Sequence, residues 1–417
     1  MSKMKSLGIL ILVITIAIFA VNISTPMLSL LPVDMAKTFL PDSFAPGTSP
    51  ATQKAAVGVV KQTDAINSVF EVVAAVALSF LAIRFRHKSL LLVGVGLVLV
   101  SAVGAYFSPT LPTMQAFFAL EGFGTVMVTA MGLTMIGEYV PMQKKAKASS
   151  YLVAAGSAAY LIGVVIINRV TNFGGWQLNF LLLTLPVAAL GLILSFIALP
   201  NKQNAKSESS TNEKTPYWAT FRRILKNKSA ILYLIGYMVS SMVVTGSFAM
   251  SFYMQEYGLS IDSATVISMT ALTITVIASI VMGRIISKKG AKILIIASAI
   301  ADGILTIMFV FMPSYSLAIP LDMVHVWMYA TVFVGFTALA LDQVPESRGT
   351  FISIRAMFRY IGVAIGAAIG ATLLSTFASY QAVGIAFGVI SITIVPFILL
   401  VKDTTKIQST PEPTISQ

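Results

Sequence analysis

FGGWQ at residues 173–177 returns as FASYQ at residues 377–381, with Phe, an aromatic residue and Gln in the same register. The separation is 377 − 173 = 204 residues, and the same offset joins other positions that lie whole apolar segments apart. Lys88 and Leu90 correspond to Lys292 and Leu294, YVP ending at Pro141 to QVP ending at Pro345, and Glu138 to Asp342. A single match would be chance. Several at one offset make the chain two copies of one unit in the same orientation.

Each copy is strongly apolar. The 417 residues are 57% hydrophobic and 11% charged, whereas soluble domains carry roughly 25% charged residues, so there is too little polar surface to coat a globule. Runs of about 20 apolar residues, the thickness of a bilayer core, recur from end to end. The predicted class is an all-α membrane protein with twelve transmembrane helices, at 7–31, 57–83, 89–108, 112–139, 147–168, 176–199, 229–255, 263–286, 291–312, 321–343, 350–376 and 379–401. The first run is too long for a signal peptide and lacks a small-residue cleavage site, so it reads as a retained helix. This gives an N-terminal six-helix half at 1–200, a cytoplasmic linker at 201–228, a C-terminal six-helix half at 229–403 and a flexible tail at 404–417. The polar linker ends in a mixture of Tyr217, Trp218, Phe221, Arg222 and Arg223, the pattern of a short helix lying on a membrane surface.

Charge sets the orientation. With both termini cytoplasmic, 22 Lys and Arg fall in inside segments, and only Lys37, Lys54, Lys61 and Arg169 fall outside. The formal net charge of +12 therefore records topology in the plasma membrane and not nucleic-acid binding. There is no cysteine, which excludes disulfides and thiolate metal sites, and the two histidines, His87 and His325, are too few for an imidazole metal centre. No cofactor is expected. No catalytic constellation or nucleotide-binding loop is present, so the chain reads as neither an enzyme nor a primary pump.

Two parallel six-helix halves joined by a basic loop resemble the major facilitator superfamily of secondary transporters. The family signature after the second helix of each half is roughly Gly-x-x-x-Asp-Arg-x-Gly-Arg-Lys. GRIISKKGAK (283–292) keeps Gly283, Gly290 and Lys292, with Lys288 for the arginine; SFLAIRFRHK (79–88) keeps Arg84 and Lys88. Ile83 and Ser287 stand where the family has aspartate, EGFG (121–124) resembles the fourth-helix motif with Glu121 for glutamine, and Gly163 precedes valine where antiporters have Gly-Pro. The pattern is nearest the drug/metabolite–proton branch, with degenerate motifs. The resemblance implies alternating access about a midplane site lined by the first, fourth, seventh and tenth helices, with the second and eleventh helices packed together.

Ionisable residues within the spans are the candidate functional groups, because a charge at mid-bilayer costs at least about 2.5–3.5 kcal/mol. In QTDAINSVFEVV (62–73), Asp64 and Glu71 are seven residues apart and share a helix face, flanked by Asn67 and Ser68. Arg355 and Arg359 share a face of the eleventh helix, continued by the stripe Gly362, Gly366 and Gly370. Glu71 and Arg359 lie about 20 Å and about 16 Å from their cytoplasmic ends, so a Glu71–Arg359 pair is expected, with Asn67 or Asp64 as other partners. Glu121 and His325 differ by 204 residues and occupy equivalent positions. They either exchange a proton across one cavity or are each hydrogen-bonded within their own half, with Asp322 orienting His325. Asp302 reads as a structural carboxylate. Candidate cavity residues are Asn22, Asn67, Glu121, His325 and Arg359.

The expected activity is proton-coupled transport of a small organic solute by a monomer in the lipid bilayer, with efflux of drug-like compounds favoured. Symport of an anionic metabolite is the alternative. A membrane-embedded enzyme or a transporter-like sensor is the reading from another class. Transport that falls in Glu71→Gln and in Arg359→Gln, and returns in the charge-swapped double variant, is the expected result for the first pair; normal transport by each single variant means that the pair carries no function.

Overall fold

The computed structural model describes residues 2–200, 222–224, 226–344 and 348–402. Most of the linker at 201–228, with its amphipathic segment, and the tail at 404–417 lie outside the described residues, as do the side chains of Lys288 and Asp342. The described residues are helical, and eleven of the helical segments are long and apolar enough to cross a membrane. Pro50–Arg84, at 35 residues, has the length for a twelfth.

In chain order the helices are α1 (Ser2–Asn22), α2 (Met27–Leu30), α3 (Pro32–Phe39), α4 (Pro50–Arg84), α5 (His87–Tyr106), α6 (Leu111–Tyr139), α7 (Met142–Gly174) and α8 (Leu185–Ala198). They continue as α9 (Lys228–Ser241), α10 (Thr245–Glu256), α11 (Ile261–Lys289), α12 (Ala291–Val310), α13 (Tyr315–Gln343), α14 (Arg348–Phe377), α15 (Tyr380–Ile392) and α16 (Ile394–Leu400). A 3-10 turn at Pro41–Phe44 follows α3, and a π-helical turn at Phe180–Thr184 leads into α8.

Three expected spans are broken where the sequence reading had them continuous. The first divides between Asn22 and Met27, ahead of Pro26, whose missing N–H cannot continue the helical ladder. The seventh divides between Ser241 and Thr245, and the last at Thr393. The second span starts at Pro50 instead of 57. Ser49 caps it by accepting the Thr52 N–H at 3.2 Å, and Pro50 takes the first helical position, where its lost donor costs nothing. The tenth span begins at Tyr315, ahead of the expected 321, and carries Pro320 in its second turn.

The chain forms two compact units. The first gathers Met1–Glu213, Gly246–Met269 and Ala367–Ser379. Within it α1 packs on α6, α7 and α8, while α4 and α5 pack on α6. Small residues set these approaches. A Cβ on Gly163 would lie 2.6 Å from the Ile23 carbonyl oxygen, so glycine lets α7 pass the break that follows α1. A Cβ on Gly58 would lie 2.3 Å from the Ser375 nitrogen, which seats α4 against the end of α14.

The second unit is Lys214–Thr245, Thr270–Gly366 and Tyr380–Gln417. Here α12 packs on α13, α15 and α16, around a core that includes Tyr233, Phe336, Leu339, Phe351 and Ile398. The glycine stripe of α14 reaches α9: a Cβ on Gly362 would lie 2.2 Å from the Met238 carbonyl oxygen, and one on Gly366 would lie 2.0 Å from that of Met242. Backbone cannot yield as a flexible side chain can, so neither position has room for alanine.

The repeat is visible at Lys88 and Lys292. Lys88 Nζ donates to the carbonyls of Phe196 and Leu199, both at 2.7 Å, at the C-terminal end of α8. Lys292 donates to those of Leu399 at 2.6 Å and Val401 at 2.9 Å, at the end of α16. Each lysine satisfies carbonyls that the helix end leaves without partners and sits at the negative end of its dipole.

Candidate functional site

In the first unit, the polar groups gather beside the break between α1 and α2. Ser24, fully buried in that break, donates its hydroxyl to Glu121 Oε1 of α6. Asn67 of α4 donates to the Phe118 carbonyl at 2.8 Å, one turn before Glu121 on α6. Gly122 makes the approach possible, since a Cβ there would lie 2.6 Å from the Asn67 carbonyl oxygen. Asn22 turns back on its own helix and donates to the Ile18 carbonyl at 2.8 Å.

Lys61 is the residue that sequence reasoning missed. It was counted with the loop charges, yet its side chain is 0% exposed within α4. An ammonium withdrawn from water costs several kcal/mol unless its donors are met. Here Nζ donates to the Leu28 carbonyl at 2.6 Å, to the Ser247 hydroxyl at 2.9 Å and to the Ser247 carbonyl. Asp64 Oδ2 stands 3.2 Å away and itself accepts from the Ser247 hydroxyl at 2.7 Å. The ring of Phe248 completes the enclosure, 5.2 Å from Nζ. Two further polar links in this unit join Lys54 to Glu256 at 2.6 Å and Asn168 to Asp262 at 2.7 Å. The available signal was position, because Lys61 falls inside the span expected at 57–83 and three residues before an acid, a spacing at which helical side chains meet.

In the second unit, His325 of α13 stands between two carboxylates. Its Nδ1 lies 3.3 Å from Asp322 Oδ1 and its Nε2 lies 3.4 Å from Asp302 Oδ1 of α12. Ser391 of α15 donates to Asp302 Oδ2 at 2.7 Å. Thus Glu121 and His325, equivalent in the repeat, each find a hydrogen-bonding partner inside their own unit. Asp302, read as structural, belongs to the histidine cluster.

Arg355 of α14 lies flat against aromatic rings. Its guanidinium carbon is 4.1 Å from the centroid of Tyr237 and 6.0 Å from that of Phe333, and Nη2 donates to Thr337 Oγ1 at 2.9 Å. Nε is buried without an acceptor, and among the described residues no carboxylate comes within ion-pair distance of this arginine. Arg359, one turn on, is 5.8 Å from the Tyr360 ring. Glu71 is half-buried in the first unit, and Arg359 belongs to the second. Of the loop-motif residues, Arg84 is exposed at the end of α4, and Gly290, at φ 90°, takes a backbone conformation that side chains disfavour and ends the turn before α12. Among the described residues no group of three or more His, Cys, Asp or Glu could hold a metal ion.

The sequence profile of the Major Facilitator Superfamily matches residues 9–321 and 234–416, and the chain belongs to this family of transporters. Among curated relatives, the cis,cis-muconate transport protein of Acinetobacter baylyi is 21% identical over 279 residues, which are 65% of this chain and 66% of that protein. An uncharacterized MFS-type transporter of Mycobacterium tuberculosis is 28% identical over 117 residues, 28% of this chain and 20% of the relative. The matches thus span two thirds or less of these relatives' own lengths. Among solved structures, a D-xylose–proton symporter superposes with a TM-score of 0.72 at 14% identity, covering 96% of this chain and 99% of that one. A bacterial homolog of the human lysosomal transporter Spinster gives 0.69 at 15% identity, covering 99% of each. These likenesses establish the fold.

The Lys61 site yields a stability test. Asp64→Asn leaves a buried ammonium without its counter-charge, and losing one partner of such a pair costs about 3–5 kcal/mol. Thermal unfolding in detergent is expected to show a larger loss for Asp64→Asn than for the apolar double variant Lys61→Met/Asp64→Leu. Equal losses would mean that the charge pair is not what matters there.

Proposed function

We propose that the chain carries a small organic anion across the cytoplasmic membrane by secondary active transport coupled to protons, with both termini on the cytoplasmic side. The observation that carries the cargo is Arg355. A guanidinium is charged at every accessible pH and presents five N–H donors in a planar fork that matches a carboxylate. Here it is held by π-stacking and the hydroxyls of Thr337 and Tyr233, lies at the start of the apolar segment Ile354–Phe377, and has a buried donor to spare. A cation kept at the end of a span without a carboxylate among the described residues suits an anion that comes and goes. The relative named as a cis,cis-muconate transport protein supports this choice.

Proton coupling is supported by Glu121, a buried carboxyl inside a span whose partner is the neutral hydroxyl of Ser24. Such a group can bind a proton in one state of a cycle and release it in another. Efflux of amphipathic compounds, the direction favoured by composition, rests on the 25 phenylalanines and 20 methionines. Those residues equally suit lipid-facing helices.

Uptake into proteoliposomes of labelled cis,cis-muconate and a panel of other mono- and dicarboxylates tests the reading. Hydrogen bonds to a charged group contribute about 1.5–3 kcal/mol, so Arg355→Gln should lower apparent affinity by about 10- to 100-fold, with Arg355→Lys in between. Carboxylate uptake unaltered in Arg355→Gln, or uptake confined to uncharged solutes, would overturn it.

A further inference from the structure

The histidine cluster of the second unit has a property that neither its burial nor its partners alone would suggest. Asp302, Asp322, His325 and Ser391 are 1%, 3%, 3% and 1% exposed. Carboxylate oxygens face both nitrogens of one imidazole, at 3.3 Å and 3.4 Å. A neutral imidazole carries one N–H and one lone pair. It can therefore donate to one of these carboxylates, while its lone pair meets the oxygen of the other. Three arrangements remove that repulsion, and each takes up one proton: the imidazole is protonated and donates from both nitrogens, or Asp322 is protonated and donates to Nδ1, or Asp302 is protonated and its O–H donates to Nε2. Asp302 Oδ1 and His325 Nε2 are the two buried atoms here that lack a hydrogen bond, and they face each other.

We infer that the Asp302–His325 contact is a second proton-binding site besides Glu121, and that a proton held there is coupled to transport. The inference rests on the reading of the chain as a proton-coupled carrier and adds α12 and α13 to the elements that carry the coupling. A proton entering from the Asp322 side adds to Nδ1 of the neutral imidazole, forming an N–H bond. The Nε2 proton then passes to Asp302 Oδ1, and the imidazole is left neutral in its other tautomer. Ser391 keeps Asp302 oriented by donating to Oδ2, which leaves Oδ1 to the imidazole. Tyr329 follows one turn beyond His325 on α13, and Arg359 is carried by α14. The short helix α16, also packed on α12, brings no ionisable side chain.

The chain has two histidines, so His87→Gln leaves His325 as the single imidazole signal in ¹⁵N-histidine NMR. Across pH 5–9 the ring-nitrogen shifts of His325 are expected to pass to those of the single Nε2–H tautomer, from two N–H groups where the imidazole keeps the proton or from the Nδ1–H tautomer where Asp302 takes it, with a midpoint moved by at least one pH unit in Asp302→Asn. Shifts that do not change over this range, or a midpoint unmoved in Asp302→Asn, would overturn the site. The role in coupling is read in proteoliposomes with cis,cis-muconate as probe. Asp302→Asn is expected to lose accumulation driven by a pH gradient, by 10-fold or more, while keeping exchange of labelled for unlabelled muconate. Asp302→Glu, which restores the carboxyl, is expected to recover part of that accumulation and guards against misfolding. Gradient-driven accumulation intact in Asp302→Asn overturns the coupling role alone. Accumulation by the unaltered protein that ignores the pH gradient overturns the proton-coupled reading on which it rests.

Discussion

Lys61 places a positive charge where no water can solvate it, and its acceptors explain much about the first unit. Inside hydrocarbon every backbone carbonyl must find a donor, which is why spanning segments are helices and why breaks in them are confined to sites that supply partners. The first and seventh spans are both broken. The Leu28 carbonyl, just beyond the first break, stands four residues before Pro32, which has no N–H to offer it, and Lys61 donates to it and to Ser247 just beyond the second break. One ammonium thus satisfies groups from two interrupted helices, and the hydroxyl of Ser247 links it to Asp64. The same need recurs at Ser24, which sits in the first break and donates to Glu121. Placing polar atoms at these breaks makes them stable, and it also puts a titratable carboxyl within the membrane-spanning region.

Much of this was legible in the sequence because it obeys simple periodicities. The bilayer thickness fixes span length, and the 204-residue repeat fixes how the spans correspond, so Lys88 and Lys292 could be paired before their common role as helix-end caps was visible. The interruption at residues 242–244 could not be read. The residues there are Met, Val and Val, with neither proline nor glycine, and the break depends on tertiary partners: Gly362 and Gly366 admit the carbonyls of Met238 and Met242. Lys61 was obscured for a different reason. A basic residue near a span end is normally a topology signal, and only the three-dimensional environment distinguishes a loop charge from a buried one. The partner of Glu121 was hidden because a hydroxyl carries no charge pattern, and Ser24 is one serine among many.

Two kinds of polar site are built into these helices. The Lys61 site is saturated, with four acceptors around one ammonium. Two sites of the second unit keep valences open: Arg355 has a buried donor to spare, and His325 faces carboxylates with both nitrogens. Saturated sites hold a structure together, whereas open ones respond to what arrives. An anion suits the guanidinium and a proton suits the imidazole, and a carrier that moves both offsets the charge of one with the other.

A pH-sensitive dye trapped inside proteoliposomes, read while cis,cis-muconate or another carboxylate is added outside, tests that claim most directly. Entry of the acid should change the internal pH in a fixed ratio to the label taken up. Liposomes without protein and liposomes bearing Arg355→Gln should show neither signal above leak. Carboxylate entry through the protein with no change in internal pH, or no carboxylate entering at all, would contradict a proton-coupled carrier of organic anions.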